Sequence, residues 1–208
     1  MMKTYEIFPE DQALALCEQI RGANWLQGKA RTAELTGTVK QNEEILDHVS
    51  LQTIGKRIVA NPEVQLDAIP LQMHKPKYSR YAEGGAHYGF HTDAPWMGST
   101  RTDLSCTLFL ADPASYDGGE LVVGTEIVKL RPGQCVIYDC GTPHEVRPVT
   151  RGERICVVTW IQSRIRDPQK RKLIGDYRRF LAELEKDRPD LFLRGGQVYS
   201  QLLRMWIE

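Results

Sequence analysis

The sequence lacks an excess of charge of either sign. Lysine plus arginine and aspartate plus glutamate both number 27, so the formal net charge is zero. A chain without net charge has no long-range field that would draw it to nucleic acid or to an anionic membrane. We therefore expect no nucleic-acid or membrane partner, and a small molecule or a peptidyl group as the target. Nothing in the composition indicates the oligomeric state.

Long apolar runs and paired cysteines are also missing. The longest strongly apolar run, residues 104–111, is too short to span a bilayer, and the N-terminus has no apolar stretch typical of a signal peptide. The five cysteines are odd in number and scattered, with no C-x-x-C pair. This pattern is typical of buried thiols in a reducing compartment. These absences predict a soluble cytoplasmic protein.

Several enzyme signatures are absent as well. The sequence contains no H-E-x-x-H, P-loop or G-x-S-x-G motif, no usable dinucleotide fingerprint and no internal repeat. Enzymes that depend on those motifs are thereby excluded. A chain of 208 residues is long enough to bury a core as one domain.

The period of the apolar residues divides this single domain, residues 1–208, into three regions. The pattern in residues 1–70 predicts helices that support the remainder of the domain. Ala13, Leu16, Cys17 and Ile20 follow a helical spacing, and residues 45–59 form a second, less regular candidate helix. In residues 71–163 the pattern changes to short apolar runs that are separated by Gly, Pro and Asp. The clearest of these candidate strands are 104–110, 120–123, 127–130, 134–138 and 154–161. Closely spaced strands of this kind predict a mainly β, antiparallel barrel or jelly roll.

Residues 164–208 predict helices again. Asp167 is a candidate N-cap with Pro168 at the first helical position, and an apolar stripe from Leu173 to Leu184 predicts core contacts. A last short helix is indicated from Val198 to Trp206. The basic residues of 164–172 are interpreted as a solvated helix face.

His91, Asp93 and His144 form the candidate metal site. Side chains at i and i+2 project from the same face of a strand, so His91 and Asp93 can reach one ion. His144 follows a turn-like Gly-Thr-Pro cluster at 141–143 and opens a β-branched run. Two imidazoles and one carboxylate are the ligands of non-haem Fe(II) oxygenases, which leave one face of the octahedron open.

Arg154 is the candidate anion-binding residue. If Val149 pairs with Glu153 across a turn at 150–152, then Arg154 faces the same side as His144, about 13 Å away along the strand. A guanidinium grips a carboxylate with two hydrogen bonds, so it suits a dicarboxylate that also reaches the metal. Arg147 and Arg151 are the rival candidates, and this register disfavours Arg147.

Longer motifs carry a family resemblance. They are residues 28–30 (GKA), 80–93 (RYAEGGAHYGFHTD), 101–112 (RTDLSCTLFLAD), 116–121 (YDGGEL), 150–154 (TRGER), 160–163 (WIQS) and 203–206 (LRMW). With His144, this series resembles the bacterial PKHD-type hydroxylases, in the prolyl-hydroxylase-like branch of the Fe(II)/2-oxoglutarate dioxygenases. The resemblance extends over the whole chain.

The resemblance implies a double-stranded β-helix in which His91, Asp93 and His144 bind Fe(II) and Arg154 binds the C5 carboxylate of 2-oxoglutarate. Tyr81 matches a position whose phenol often helps to hold 2-oxoglutarate, and the alternative is a half-buried strand tyrosine. L-Ascorbate is implied as an auxiliary reductant. The implied reaction consumes O2, hydroxylates an unactivated C–H bond and releases succinate and CO2. The alternatives are a non-catalytic jelly-roll sensor or scaffold and a cupin-like metalloenzyme.

Two features of the sequence depart from the family pattern. The loop at 94–100 is shorter than expected, and it usually borders the substrate entrance, so a prolyl residue, a free amino acid and another metabolite all remain open as substrates. His87 stands where a small or hydroxyl residue is expected. By strand parity His87 faces the side of His91, so it can be a neighbouring group or a competing ligand, although an ordinary surface or core histidine is preferred.

Overall fold

Two antiparallel β-sheets form the centre of the molecule. The structure, a computed structural model, describes residues 2–28 and 40–208. Part of the GKA motif, residues 29–30, lies outside the described residues. The strands are β1 Met2–Glu6, β2 Leu26–Gln27, β3 Lys40–Gln41, β4 Glu43–Ile45, β5 Pro70–Met73, β6 Lys77–Ala82, β7 Ala86–His91, β8 Trp96–Met97, β9 Thr100–Arg101, β10 Leu104–Phe109, β11 Asp117–Gly118, β12 Leu121–Val123, β13 Glu126–Val128, β14 Gln134–Asp139, β15 His144–Arg151 and β16 Glu153–Ser163.

The strands are divided between a large and a small sheet. The large sheet has the order β1-β14-β10-β16-β6-β4-β2, with β5 paired to β16. The small sheet has the order β13-β12-β15-β7-β3, with β11 paired to β15, and β8 and β9 form a separate hairpin. This arrangement confirms the predicted mainly β, antiparallel fold.

The helices flank these sheets. They are α1 Glu10–Arg21, α2 Val49–Ala60, α3 Pro62–Ala68, α4 Pro168–Asp187 and α5 Pro189–Trp206, with a short 3-10 turn at Pro113–Ser115. The predicted cap of α4 is confirmed, because the Asp167 carboxylate accepts hydrogen bonds from the amides of Gln169 and Lys170 and Pro168 is the first helical residue. None of the helices in the described part of the chain is long and apolar enough to cross a membrane.

Strand alternation creates two separate cores. On β10, Leu104, Cys106 and Leu108 belong to the cluster that packs under α1, α2 and α3. Side chains on the other face of the large sheet, including Phe109, join a second cluster with residues of the small sheet. Because successive side chains of a strand point to opposite faces, one face of the large sheet binds helices and the other faces the small sheet. The candidate site lies on this second face.

Four local features differ from the expectations drawn from the sequence. Residues 2–6 form a strand along β14, which the sequence did not predict, and the last helix is 18 residues long rather than short. The apolar stripe of α4 is only partly core, since Leu173 and Phe180 are half exposed. In the basic cluster, Arg171 is buried and pairs with Asp139 at 2.6 Å, so that residue is not on a solvated face. All five cysteines are buried and free, as predicted.

Candidate metal and co-substrate site

His91 and His144 lie opposite each other on neighbouring strands. His91 ends β7, His144 begins β15, and the two are register partners in the small sheet. Both are 5% exposed, and their ring centroids are 4.2 Å apart. The two histidines, which are 53 positions apart in sequence, therefore meet because antiparallel pairing places one strand's end beside the other's start.

Asp93 completes the cluster from a loop rather than from a strand. The strand β7 ends at His91, so the expectation that Asp93 shares a strand face with His91 was wrong in its geometry. The side chains nevertheless converge, because one ligand atom from each of His91, Asp93 and His144 lies within 4.8 Å of the others. Among the described residues, this is the one group of three or more such side chains that can hold a metal ion.

The hydrogen bonds of the two imidazoles leave one nitrogen of each ring for a metal. Nδ1 of His91 donates to the carbonyl oxygen of Gly89 at 2.8 Å, and Nδ1 of His144 donates to that of Thr142 at 2.9 Å. A proton on Nδ1 places the lone pair on Nε2. Nε2 of His144 lies 3.7 Å from Oδ2 of Asp93. The arrangement matches the tautomer that a metal-binding histidine needs.

The surroundings hold the three side chains in place and keep His91 uncharged. Burial, with the neighbouring His144, lowers the pKa of His91 to about 4, so its imidazole is neutral near pH 7. Tyr88 stacks on His91 with ring centroids 3.6 Å apart, and Tyr138 packs edge-on against His144 at 5.1 Å. The hydroxyl of Ser105 donates to Oδ2 of Asp93. Sequence reasoning did not identify Ser105, although it lies inside the RTDLS motif.

Arg154 is a buried cation without an acidic partner. It is 1% exposed, Nη1 donates to the sulfur of Cys156 at 3.2 Å, and Nε has no hydrogen-bond partner. Within residues 2–28 and 40–208, no carboxylate lies at ion-pair distance from its guanidinium. An isolated buried charge is costly unless it is paired. The site is therefore complementary to a bound anion.

The register argument for Arg154 was wrong, although Arg154 does face the cavity. The strands β15 and β16 belong to different sheets, so Val149 does not pair with Glu153. Arg154 instead pairs with Tyr81 of β6. The chain crosses between the two facing sheets at 151–153, which brings Arg154 to the opposite wall of the cavity from His144. Arg147 is exposed, and Arg151 is exposed and paired with Asp117 at 2.7 Å.

Aromatic rings and one glycine enclose the guanidinium of Arg154. Its carbon lies 5.1 Å from the ring centres of both Tyr81 and Phe109. Tyr81 is 3% exposed, and burial raises the pKa of its phenol, which stays protonated. Gly119 has φ +67°, and an added Cβ would lie 3.2 Å from Cδ of Arg154. The absence of a side chain at Gly119 thus leaves room for Arg154.

One cavity of about 790 Å³ connects the cluster to Arg154. Its lining includes His91, Asp93, His144, Arg154 and Tyr81. A volume of this size lies within the usual range of small-molecule sites. The structure thus brings together all the residues that the sequence singled out for the metal and the co-substrate.

His87 does not line this cavity. Its Nδ1 donates to the carbonyl oxygen of Gly85 at 2.8 Å. In the pairing of β15 with β7, His144 lies opposite His91 and Val146 lies opposite Tyr88. The two β15 residues are two positions apart in sequence, whereas the two β7 residues are three positions apart. The extra residue is a β-bulge, which reverses the side-chain parity N-terminal to it. Tyr88 therefore faces the cavity, and the parity argument for His87 fails.

Besides the exposed Lys75, three charged side chains on the cavity wall were not identified from the sequence. They are Lys40, Glu44 and Lys77, on three different strands. No motif links them, because their proximity depends on the pairing of β4 with β6. Trp160, which lies in the WIQS motif, is beside them.

The sequence comparison decides the family. The chain is 37% identical to a PKHD-type hydroxylase of Herminiimonas arsenicoxydans, in an alignment that covers 99% of both chains. The chain belongs to the PKHD-type hydroxylases. Another PKHD-type hydroxylase, from Janthinobacterium sp. (strain Marseille), is also 37% identical over 99% of this chain and 98% of its own.

The wider superfamily fits this assignment. The model of the 2OG-Fe(II) oxygenase superfamily matches residues 76–162, which contain the three candidate ligands and Arg154. Membership in this family implies Fe(II) and 2-oxoglutarate as cofactor and co-substrate. This PKHD-type hydroxylase is accordingly an enzyme of the dioxygenase class.

Solved structures confirm the jelly-roll fold. A prolyl-4-hydroxylase of Pseudomonas putida is similar with a TM-score of 0.56 and 20% identity, covering 78% of this chain and 92% of that one. A non-heme alpha-ketoglutarate-dependent carbocyclase from nogalamycin biosynthesis is similar with a TM-score of 0.61 and 12% identity, covering 79% of this chain and 80% of that one. Since the two neighbours catalyse different reactions, the fold alone does not define the substrate of this PKHD-type hydroxylase.

Proposed function

We propose that His91, Asp93 and His144 bind Fe(II) and that Arg154 binds the C5 carboxylate of 2-oxoglutarate. The observation that carries this assignment is the buried, unpaired guanidinium in the same cavity as a two-histidine, one-carboxylate cluster. A dicarboxylate that reaches both groups would neutralise Arg154 and fill two metal positions. The side chains present therefore fit the ion and the co-substrate that the family implies.

The proposed reaction is hydroxylation of an unactivated C–H bond, coupled to conversion of 2-oxoglutarate to succinate and CO2. When bound, Fe(II) supplies the activation of O2, which no side chain of the protein can perform. The chain's own residues orient the reactants. Arg154 fixes one end of 2-oxoglutarate, and Tyr81, with a protonated phenol beside Arg154, donates a hydrogen bond to the same carboxylate.

The protein also limits access of water to the reacting groups. Arg154 lies between the rings of Tyr81 and Phe109, and Tyr88 covers one face of His91. A dry pocket strengthens the charge interaction between Arg154 and a carboxylate. We further propose L-ascorbate as an auxiliary reductant and the cytoplasm as the location, since five free thiols suit a reducing compartment.

The direct test is release of CO2 from 2-oxoglutarate labelled at C1. Purified protein with Fe(II), O2 and ascorbate should release labelled CO2 and an equal amount of succinate. The Asp93→Ala variant should release neither, because two imidazoles alone hold Fe(II) weakly. Turnover by the Asp93→Ala variant at the wild-type rate would remove Asp93 from the proposed ligand set.

A further inference from the structure

The thiol of Cys156 is the one hydrogen-bond partner that the described part of the chain offers to Arg154. Nη1 of Arg154 donates to Sγ of Cys156 at 3.2 Å, and Nε of Arg154 has no hydrogen-bond partner. Cys156 follows Arg154 by two positions on β16, so the two side chains project from the same face of that strand. The thiol therefore lies where it can determine the orientation of the guanidinium.

The sulfur of Cys156 is connected to the backbone on its other side. The thiol donates to the carbonyl oxygen of Ser79 on β6, with 3.7 Å between the sulfur and the oxygen. Cys156 and Ser79 are register partners, so the pairing of β16 with β6 fixes this contact. A thiol is a weak donor and a weak acceptor, and here it has both roles. The contacts form a chain from the Ser79 carbonyl through the sulfur to the guanidinium.

The protonation state of the thiol suits this arrangement. Cys156 is completely buried, and burial raises the pKa of its thiol, although the neighbouring Arg154 opposes that shift. The group therefore remains a neutral thiol near pH 7. A thiolate would neutralise Arg154, whereas a neutral thiol orients the guanidinium and leaves its charge available to a bound carboxylate.

The neighbours of Arg154 restrict two different motions of the guanidinium. Its carbon lies 5.1 Å from the ring centres of both Tyr81 and Phe109, so the two rings limit tilting of the guanidinium plane. A ring face attracts a cation but does not define its rotation within that plane. The hydrogen bond to Cys156 supplies the directed contact. A guanidinium binds a carboxylate through two parallel N–H groups, and this geometry requires a defined rotation.

We propose that Cys156 is a positioning residue, which orients Arg154 for the carboxylate at the far end of the co-substrate. This inference rests on the proposed function, because it requires that Arg154 binds the C5 carboxylate of 2-oxoglutarate. Among the described residues, the lining of the cavity includes Arg154 but not Cys156. The thiol thus acts through Arg154: it holds Nη1, and the remaining N–H groups of the guanidinium bind the carboxylate.

The test compares two 2-oxo acids of equal length on the anaerobic Fe(II) protein. The acids are 2-oxoglutarate and 2-oxopentanoate, which has the same carbon chain but no C5 carboxylate. Affinity is measured by calorimetry and from the visible charge-transfer band that each acid forms. In Cys156→Ala the affinity for 2-oxoglutarate should fall about tenfold, because a hydrogen bond to a charged group is lost. The affinity for 2-oxopentanoate should stay within about twofold of the wild-type value, since this acid does not use the guanidinium.

A second variant and a control distinguish positioning from packing. Cys156→Val fills the space without a polar group, so it should show the same selective loss, and it provides the test if the alanine variant does not fold. The matched control is Cys106→Ala, since Cys106 is also a buried cysteine but packs on the helix side of the large sheet. Cys106→Ala should bind both acids as the wild type does. Thermal unfolding checks the fold of each variant, and chelator competition should give the same Fe(II) affinity in all of them.

Three results would overturn the inference while leaving the proposed function intact. They are an unchanged affinity for 2-oxoglutarate in a folded Cys156 variant, an equal loss of affinity for both acids in that variant, and the same selective loss in Cys106→Ala. A wild-type protein that forms no charge-transfer band, or that binds both acids equally tightly, would instead overturn the proposed function. The wild-type titration therefore distinguishes the two kinds of failure.

Discussion

Arg154 lies directly opposite Tyr81 across β16 and β6, with its guanidinium carbon 5.1 Å from the centre of the tyrosine ring. Both side chains are almost completely buried. The pair joins a cation that has no acidic partner in the described structure to a phenol that remains protonated. Both groups can therefore bind the same carboxylate.

Replacement of Arg154 by alanine should weaken 2-oxoglutarate binding far more than Fe(II) binding. Loss of one partner of a buried charge pair costs about 2–5 kcal/mol, which corresponds to a loss of affinity of roughly 30-fold or more. The measurement is a titration of 2-oxoglutarate into the anaerobic Fe(II) protein. Arg151→Ala is the matched control, since Arg151 is exposed and bound to Asp117. Equal affinities in wild type and Arg154→Ala would assign the carboxylate to another residue.

Replacement of Tyr81 by phenylalanine should weaken 2-oxoglutarate binding modestly. A hydrogen bond to a charged group contributes about 1.5–3 kcal/mol, so the affinity should fall about tenfold or more while the ring still packs on Arg154. The same titration measures the effect, and thermal unfolding checks the fold. An affinity unchanged from the wild type would show that Tyr81 is only a packing residue of β6.

Replacement of Ser105 by alanine should reduce the affinity for Fe(II). Ser105 donates to Oδ2 of Asp93 and also lies 3.2 Å from the sulfur of Cys140, so it fixes the carboxylate without touching the metal. Loss of such a supporting hydrogen bond typically costs about 10–100-fold in metal affinity. Competition with a chelator measures that affinity, and Ser200→Ala, on the exposed surface of α5, is the control. Identical chelator curves would contradict this role.

Replacement of Gly119 by alanine should destabilise the protein and disturb Arg154. An added Cβ would lie 2.9 Å from Cγ2 of Val149, and φ of +67° is unfavourable for alanine. Strain of this kind costs about 1–3 kcal/mol in the free energy of unfolding. Denaturant unfolding measures the loss. Gly141→Ala is the control, because nothing lies within 4 Å of its added Cβ and its φ is not positive, and a similar loss there would refute the steric explanation.

The sequence predicts those parts of the structure that depend on local patterns. Helical spacing of Ala13, Cys17 and Ile20 located α1, and the capping chemistry of Asp167 and Pro168 located the start of α4. The motifs that carry the family resemblance contained His91, Asp93, Arg154 and Tyr81, and His144 was identified beside them. These signals are local because each depends on the preference of a few neighbouring residues.

Features that depend on pairing between distant strands were not predictable in the same way. A one-residue bulge in β7 places Tyr88 in the cavity and removes His87 from it, and strand parity read from sequence cannot detect a bulge. The hairpin assumed between Val149 and Glu153 does not exist, because the chain passes from one sheet to the other at that point. Lys77 likewise approaches Glu44 only because β4 pairs with β6.

The most direct test of the proposed site is an anaerobic titration followed by visible absorption. Fe(II) is added to the protein first and 2-oxoglutarate second, with Asp93→Ala as the comparison. The account predicts a metal-to-ligand charge-transfer band that saturates at one Fe(II) and one 2-oxoglutarate per chain in the wild type and is lost in Asp93→Ala. A wild-type protein that binds Fe(II) but develops no such band on addition of 2-oxoglutarate would contradict it.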